Sequence, residues 1–138
     1  MKRINKCLEH LKEKDVDGFL ISSVPNVTYL SDFTGDSSIL IVTASRCMLL
    51  TDGRYTEQAH QECPAGIEIF KWLNNKRFGI ETYQHVVNEL KIKRLGFEGQ
   101  IISFSSYESL RKGLADIELV NLEGCIEKIR QIKALKNI

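Results

Sequence analysis

An excess of charge of either sign is the first thing this sequence lacks. Nineteen lysines and arginines offset eighteen aspartates and glutamates, for a formal net charge of +1 over 138 residues. The basic residues are spread along the chain and form no stripe, which argues against an electrostatic nucleic-acid binder. The densest basic patch, Lys91-Ile92-Lys93-Arg94, reads as a solvated helix end near the negative pole of the helix dipole. No apolar run approaches bilayer-spanning length, so no membrane partner is expected. The first residues, Met1-Lys2-Arg3-Ile4-Asn5, lead into an amphipathic pattern and not into the apolar core of a secretory leader. The expected compartment is the cytoplasm.

Paired metal-binding and nucleophilic motifs are missing as well. The four cysteines, Cys7, Cys47, Cys63 and Cys125, include no CxxC pair and read as small buried hydrophobes in a reducing compartment. His60-Gln61-Glu62-Cys63 offers zinc-ligand types without the second pair a closed site needs, so no metal ligand is assigned. There is no glycine-rich phosphate loop, no GxSxG elbow and no HExxH pair. His10, His60 and His85 all fall on predicted helices and stand apart. Asp52 with Asp32 or Asp36 is a conceivable carboxylate cluster for phosphodiester chemistry, but a helix cap and a solvated loop account for the same residues. The expectation is a domain with no catalytic residue of its own, one that acts by contacting something else.

What is present is a full-sized core, 43% hydrophobic residues with 27% charged, in a clear alternation of strand and helix patterns. Ile4, Cys7, Leu8 and Leu11 have helical spacing. Residues 18–22 read as a buried strand, and Pro25 can open a helix whose single turn covers 27–30. A polar loop over 31–36 carries Phe33, which looks exposed. Residues 38–43 and 46–51 form a hairpin across Ala44-Ser45. A helix follows with Tyr55, Ala59 and Cys63 on one stripe, then a strand over 67–70 and a loop over 72–78. Ile80, Tyr83, Val87 and Leu90 mark another helix, and residues 94–98 a short strand. Ser105 and Glu108 fit a capping box for a helix with Tyr107, Leu110 and Leu114 inward. A strand over 117–121 and a helix from Glu123 almost to Ile138, with Cys125, Ile126, Ile129 and Ile132 on one face, complete the chain. An initial hairpin followed by strand–helix alternation predicts an α/β fold, a three-layer sandwich with a mixed sheet.

Leu49-Leu50-Thr51-Asp52-Gly53-Arg54-Tyr55 organises the rest. It reads as a buried strand turning directly into a helix. Asp52 is placed to cap the first free backbone N–H groups, and Gly53 permits a sharp turn. Arg54 is left at the carboxyl end of the strand, where open α/β sheets place ligands. The plain alternative is a cap, a glycine turn and a surface arginine.

Four segments together resemble the creatinase/prolidase N-terminal domain. Asn26-Val27-Thr28-Tyr29-Leu30-Ser31-Asp32-Phe33-Thr34-Gly35 is similar to its N-x-x-Y-L loop. Thr51-Asp52-Gly53-Arg54-Tyr55 with Gln58-Ala59 is similar to its D-x-R-Y-x-x-Q-A segment. Arg94-Leu95-Gly96-Phe97-Glu98 resembles its L-G-F-E strand, and Ile129-Arg130-Gln131-Ile132-Lys133 its L-R-x-I-K helix. They occur in order across nearly the whole chain.

The resemblance implies a ribonuclease-H-like α/β domain and a parent Xaa-Pro peptidase, either proline dipeptidase or aminopeptidase P. Residues 1–122 would be the N-terminal domain and 123–138 the start of a linker helix to a C-terminal metallopeptidase domain. The two divalent ions of such enzymes, manganese or cobalt, would be held there by two Asp, one His and two Glu beyond this segment, so the segment by itself is expected to be inactive. The linker should continue at Lys136-Asn137-Ile138, where the usual acidic E-x-E-I pattern is missing. The implied role is to roof an active site for short proline-containing peptides and to make homodimer contacts, which an exposed edge strand would favour. Substrate-proximal candidates are Tyr29, Phe33, Arg54 and Tyr55. Phe33 would pack on the substrate's first side chain or proline ring, and Arg54 would meet a peptide carboxylate. Against this, Tyr29 and Tyr55 could be core residues and Arg54 could pair with Asp32. A stand-alone binding or scaffold domain and a creatinase-like amidinohydrolase parent are the alternatives.

Overall fold

The computed structural model describes residues 1–75 and 79–136. Its elements are α1 (Lys2–Glu13), β1 (Gly18–Ile21), α2 (Val24–Ser31), β2 (Ser38–Val42), β3 (Cys47–Thr51), α3 (Thr56–Glu62), β4 (Ile67–Lys71), α4 (Ile80–Glu89), β5 (Arg94–Phe97), α5 (Phe104–Gly113), β6 (Glu118–Asn121) and α6 (Cys125–Lys136). Short 3₁₀ turns cover Gly53–Tyr55 and Leu73–Asn75. The first of these joins β3 to α3. The second replaces part of the loop expected over 72–78, and residues 76–78 lie outside the described residues.

The six strands form one mixed sheet in the order β4-β3-β2-β1-β5-β6. β2 is antiparallel to both of its neighbours, β1 and β3. The pairs β3–β4, β1–β5 and β5–β6 are parallel. Five strands therefore run in one direction and their carboxyl ends share one edge of the sheet; β2 alone runs back. The predicted hairpin is present, with Ile39 opposite Leu50 and Leu40 opposite Leu49.

Central strands β1, β2 and β3 are buried along their whole length, as expected for strands covered on both faces. Alternation sends Phe19, Ile21, Leu40, Val42 and Leu49 to one face, with Ile4, Cys7, Val27, Phe33, Ala59, Ile126 and Ile129 packed on them. Leu20, Ile39, Ile41, Met48 and Leu50 go to the other face and meet Tyr83, Val86, Val87 and Leu110. The result is the expected three-layer α/β sandwich. α1, α2, α3 and α6 supply one cover and α4 and α5 the other. α6, read from the sequence as the start of a linker helix, buries Ile126 and Ile129 in this core.

Two local expectations are corrected. α2 runs two turns from Val24, with Pro25 in the first turn and the Ser23 hydroxyl accepting from Asn26 N. Ser105 and Glu108 do not cap α5. Ser103 is the cap, accepting from Ser106 N at 3.1 Å, and Glu108 turns along the helix to pair with Arg111. The nearer hydroxyl simply lies at the position where the backbone leaves the extended conformation.

Candidate functional site at the carboxyl edge of the sheet

The carboxyl edge gathers the chemistry. β3 ends there at Asp52 and Arg54, β1 at Ser22 and Ser23, and β5 at Glu98. The segment from Asn26 to Gly35 crosses the same edge between β1 and β2. Two polar clusters result.

The first surrounds Asp52. As predicted, its carboxylate caps the turn, with Oδ1 accepting from Arg54 N at 2.9 Å. It also faces the Arg54 guanidinium at 3.3 and 3.4 Å. The backbone N–H first, and then the guanidinium, hold the Asp52 carboxyl below its ordinary range. The alternative pairing of Arg54 with Asp32 does not form. Arg54 pairs with its own cap, while Asp32, in the left-handed conformation at the end of α2, lies 3.9 Å from Arg3. A Cβ at Gly53 would lie 2.9 Å from Lys71 Cε, the far end of an exposed side chain that can swing aside.

Phe33 is the principal correction. It is 0% exposed, so it offers no ring face to a ligand. Its amide N–H donates to Ser31 Oγ and its carbonyl accepts from Thr28 Oγ1 at 2.7 Å. These bonds close the loop on α2 and drive the ring inward. The surrounding polar residues had suggested exposure, but they satisfy the loop backbone and leave the aromatic to the core. Thr34 then ties the loop to α3, its N–H donating to Glu62 Oε1 at 2.8 Å. That bond is the main cause of the lowered Glu62 pKa. Glu62 and Asp52 are thus engaged separately, and the zinc and carboxylate-cluster ideas find no geometry. Among the described residues no three His, Cys, Asp or Glu side chains are grouped to hold a metal ion.

Tyr55 is half-buried and meets Phe33 edge-on, with ring centroids 6.5 Å apart. The Arg54 guanidinium lies 5.4 Å from the Tyr55 ring centre. Tyr29 packs partly against the same core, under the Arg3 guanidinium at 4.5 Å. Of the four substrate-proximal candidates, three are wholly or partly in the core. Arg54 alone projects, with its side chain 75% exposed.

The second cluster was not anticipated. Glu98, 1% exposed, takes Ser22 N and Ser23 N on Oε1 at 2.8 and 2.9 Å. Its Oε2 accepts from Asn26 Nδ2 at 2.6 Å. The same Nδ2 donates to Glu127 Oε2 at 2.9 Å, and Asn26 Oδ1 accepts from Arg130 at 2.9 Å. Burial dominates the Glu98 environment and raises its pKa against the lowering effect of these bonds. In the sequence Asn26, Glu98 and Arg130 stand out only as letters of the family segments. The available signal was a carboxylate directly following the buried run Leu95-Gly96-Phe97.

This arrangement defines a sandwich domain whose four marker segments meet at one sheet edge and whose core polar cluster is structural. The family model of the Creatinase/Prolidase N-terminal domain matches residues 3–132, and the chain belongs to that family. It is 34% identical over 123 residues to the uncharacterized peptidase YqhT of Bacillus subtilis, covering 89% of this chain and 34% of that protein. The Xaa-Pro dipeptidase from Bacillus anthracis superposes with a TM-score of 0.86 at 30% identity, over 94% of this chain and 35% of that one. The N-terminal domain of the cytoplasmic peptidase PepQ from Mycobacterium tuberculosis gives 0.81 at 30% identity, over 92% and 97%. The chain spans about a third or less of the length of the first curated relatives it matches.

Proposed function

We propose that this chain is the non-catalytic N-terminal domain of an Xaa-Pro peptidase, a metal-dependent hydrolase cutting the bond that precedes proline. The observation that carries the reading is the match, at 30% identity, of nearly all of this chain to one third of an Xaa-Pro dipeptidase. The metal pair and the nucleophilic water are, in this reading, supplied by the remaining length of such an enzyme. In this reading the carboxyl edge roofs the peptide site, excludes water, and limits substrates to short peptides. Arg54 is the residue free to take a peptide carboxylate: its fork makes only two long contacts with Asp52, and a substrate carboxylate can compete for it in a bidentate pair. The homodimer and the cytoplasmic compartment remain part of this proposal.

The test is peptide hydrolysis by the full-length protein supplied with manganese. Cleavage of Xaa-Pro peptides, with a raised KM in Arg54→Ala, is the expected result. No cleavage of any Xaa-Pro peptide overturns the reading. Unchanged kinetics in Arg54→Ala removes the roof role of that residue.

A further inference from the structure

The Glu98 cluster joins elements far apart in sequence. Glu98 follows β5, the serine amides follow β1, Asn26 belongs to α2, and Glu127 and Arg130 belong to α6. Arg130 holds the oxygen of the Asn26 carboxamide, which fixes the amide orientation and turns its nitrogen toward both carboxylates. Two acids therefore flank one neutral donor group. Glu127 Oε2 has a second donor in Gln100 at 3.2 Å, but Glu127 Oε1 is buried without a hydrogen-bond partner. Carboxylates sharing a donor at close range cannot both ionise without cost.

We propose that Glu98 and Glu127, bridged by Asn26, form a proton-held latch that docks α6 on the β1 and β5 ends most firmly when the pair carries one proton. When both acids are ionised, their repulsion and the unpartnered Glu127 oxygen favour the release of α6 into water. Every charged or titratable group facing Glu98 from a neighbouring element bears on this balance. From α6 these are Glu127, Arg130 and Cys125, and from α1 it is Cys7. Arg130 opposes the repulsion but spends its contact on the amide oxygen. The sign follows from burial: a carboxyl whose folded pKa is raised contributes stability fully present below its unfolded value. That contribution is lost as pH rises through the folded value.

The experiment is amide hydrogen exchange on the 138-residue chain between pH 5 and pH 8, corrected for intrinsic exchange and referenced to α4. The protection of α6 is expected to fall severalfold across that range, the direction that a carboxyl raised by burial sets. Glu127→Gln should flatten the dependence, because it removes one charge while leaving the Asn26 and Gln100 donors an acceptor. Glu98→Gln is the harsher variant, since its amide could face the Asn26 donor and prevent folding. Carboxyl ¹³C titration of the unmodified chain is therefore the second readout. A side-chain carboxyl of the pair titrating above the ordinary glutamate range supports the latch. Equal α6 protection at both pH values, a pH dependence undiminished in Glu127→Gln, or both carboxyls titrating at ordinary glutamate values overturns it.

Discussion

Asn26 and Glu98, 72 residues apart in sequence, are joined by a 2.6 Å hydrogen bond from carboxamide to carboxylate at the end of the parallel strand pair. Removing the amide leaves buried acceptors and the Arg130 donor without their partner. Asn26→Ala is therefore expected to destabilise the chain by about 2–3 kcal/mol. Asn26→Asp should be at least as costly, because it sets a third acid against Glu98 and Glu127. Urea unfolding at neutral pH checks both, and a loss well under 1 kcal/mol in either would remove the structural role assigned to this cluster.

Phe33 behaves as core in this structure, so its truncation should be felt in stability. Phe33→Ala is expected to cost about 3–5 kcal/mol by cavity formation. Gly35 is its counterpart: an added Cβ would lie 2.3 Å from Phe33 Cζ. Because that ring is enclosed, Gly35→Ala should cost about 1–3 kcal/mol through overpacking. A thermal melt of each variant decides the matter, and a Phe33→Ala melt matching wild type would return the ring to the surface.

Asp52 and Arg54 should separate in their effects. Asp52→Ala removes the cap and is expected to lower the urea midpoint, whereas Asp52→Asn, itself a good cap, should retain most of it. Arg54→Ala should leave the midpoint unchanged, since an exposed pair contributes little. The Asp52 pKa is lowered on folding, so its contribution is present above the unfolded carboxylate value and fades as pH falls through the folded one. Repeating the urea titrations at acid pH should shrink the difference between wild type and Asp52→Ala.

The cysteines should divide by burial. Cys7 and Cys47 are enclosed, and burial pushes the Cys47 thiol up to about 12 and that of Cys7 higher still. Cys63, partly exposed, is raised less, to about 11. Alkylation of the native chain followed by mass mapping is expected to mark Cys63 before Cys7 or Cys47, because the thiolate is the reacting species. Equal rates at all three would contradict the packing described.

The strands and helices were legible because their apolar positions repeat with the right period. The short apolar run from Ile39 to Val42 has the length and β-branched content of a strand, and Ile4, Cys7 and Leu11 have the spacing of one helix face. The Asp52 cap was legible for a local reason, since an acceptor before a turn serves the next free amides. Phe33 was misread because its inward turn depends on the Thr28 and Ser31 hydroxyls closing the loop, which spacing does not encode. The pairing of Ser105 with Glu108 fitted a pattern, but Ser103 was nearer to the true helix start.

By itself the sequence determined the layer architecture, the mixed sheet and the family, because periodicity and the order of short segments are properties of the chain. Tertiary structure alone decided that those segments meet at one edge of the sheet, that Phe33 is enclosed while Arg54 projects, and that Asn26 lies between Glu98 and Glu127. The physical reason is range. Periodicity and capping act over a few residues, whereas the environment of a buried carboxylate is set by groups that only folding brings together.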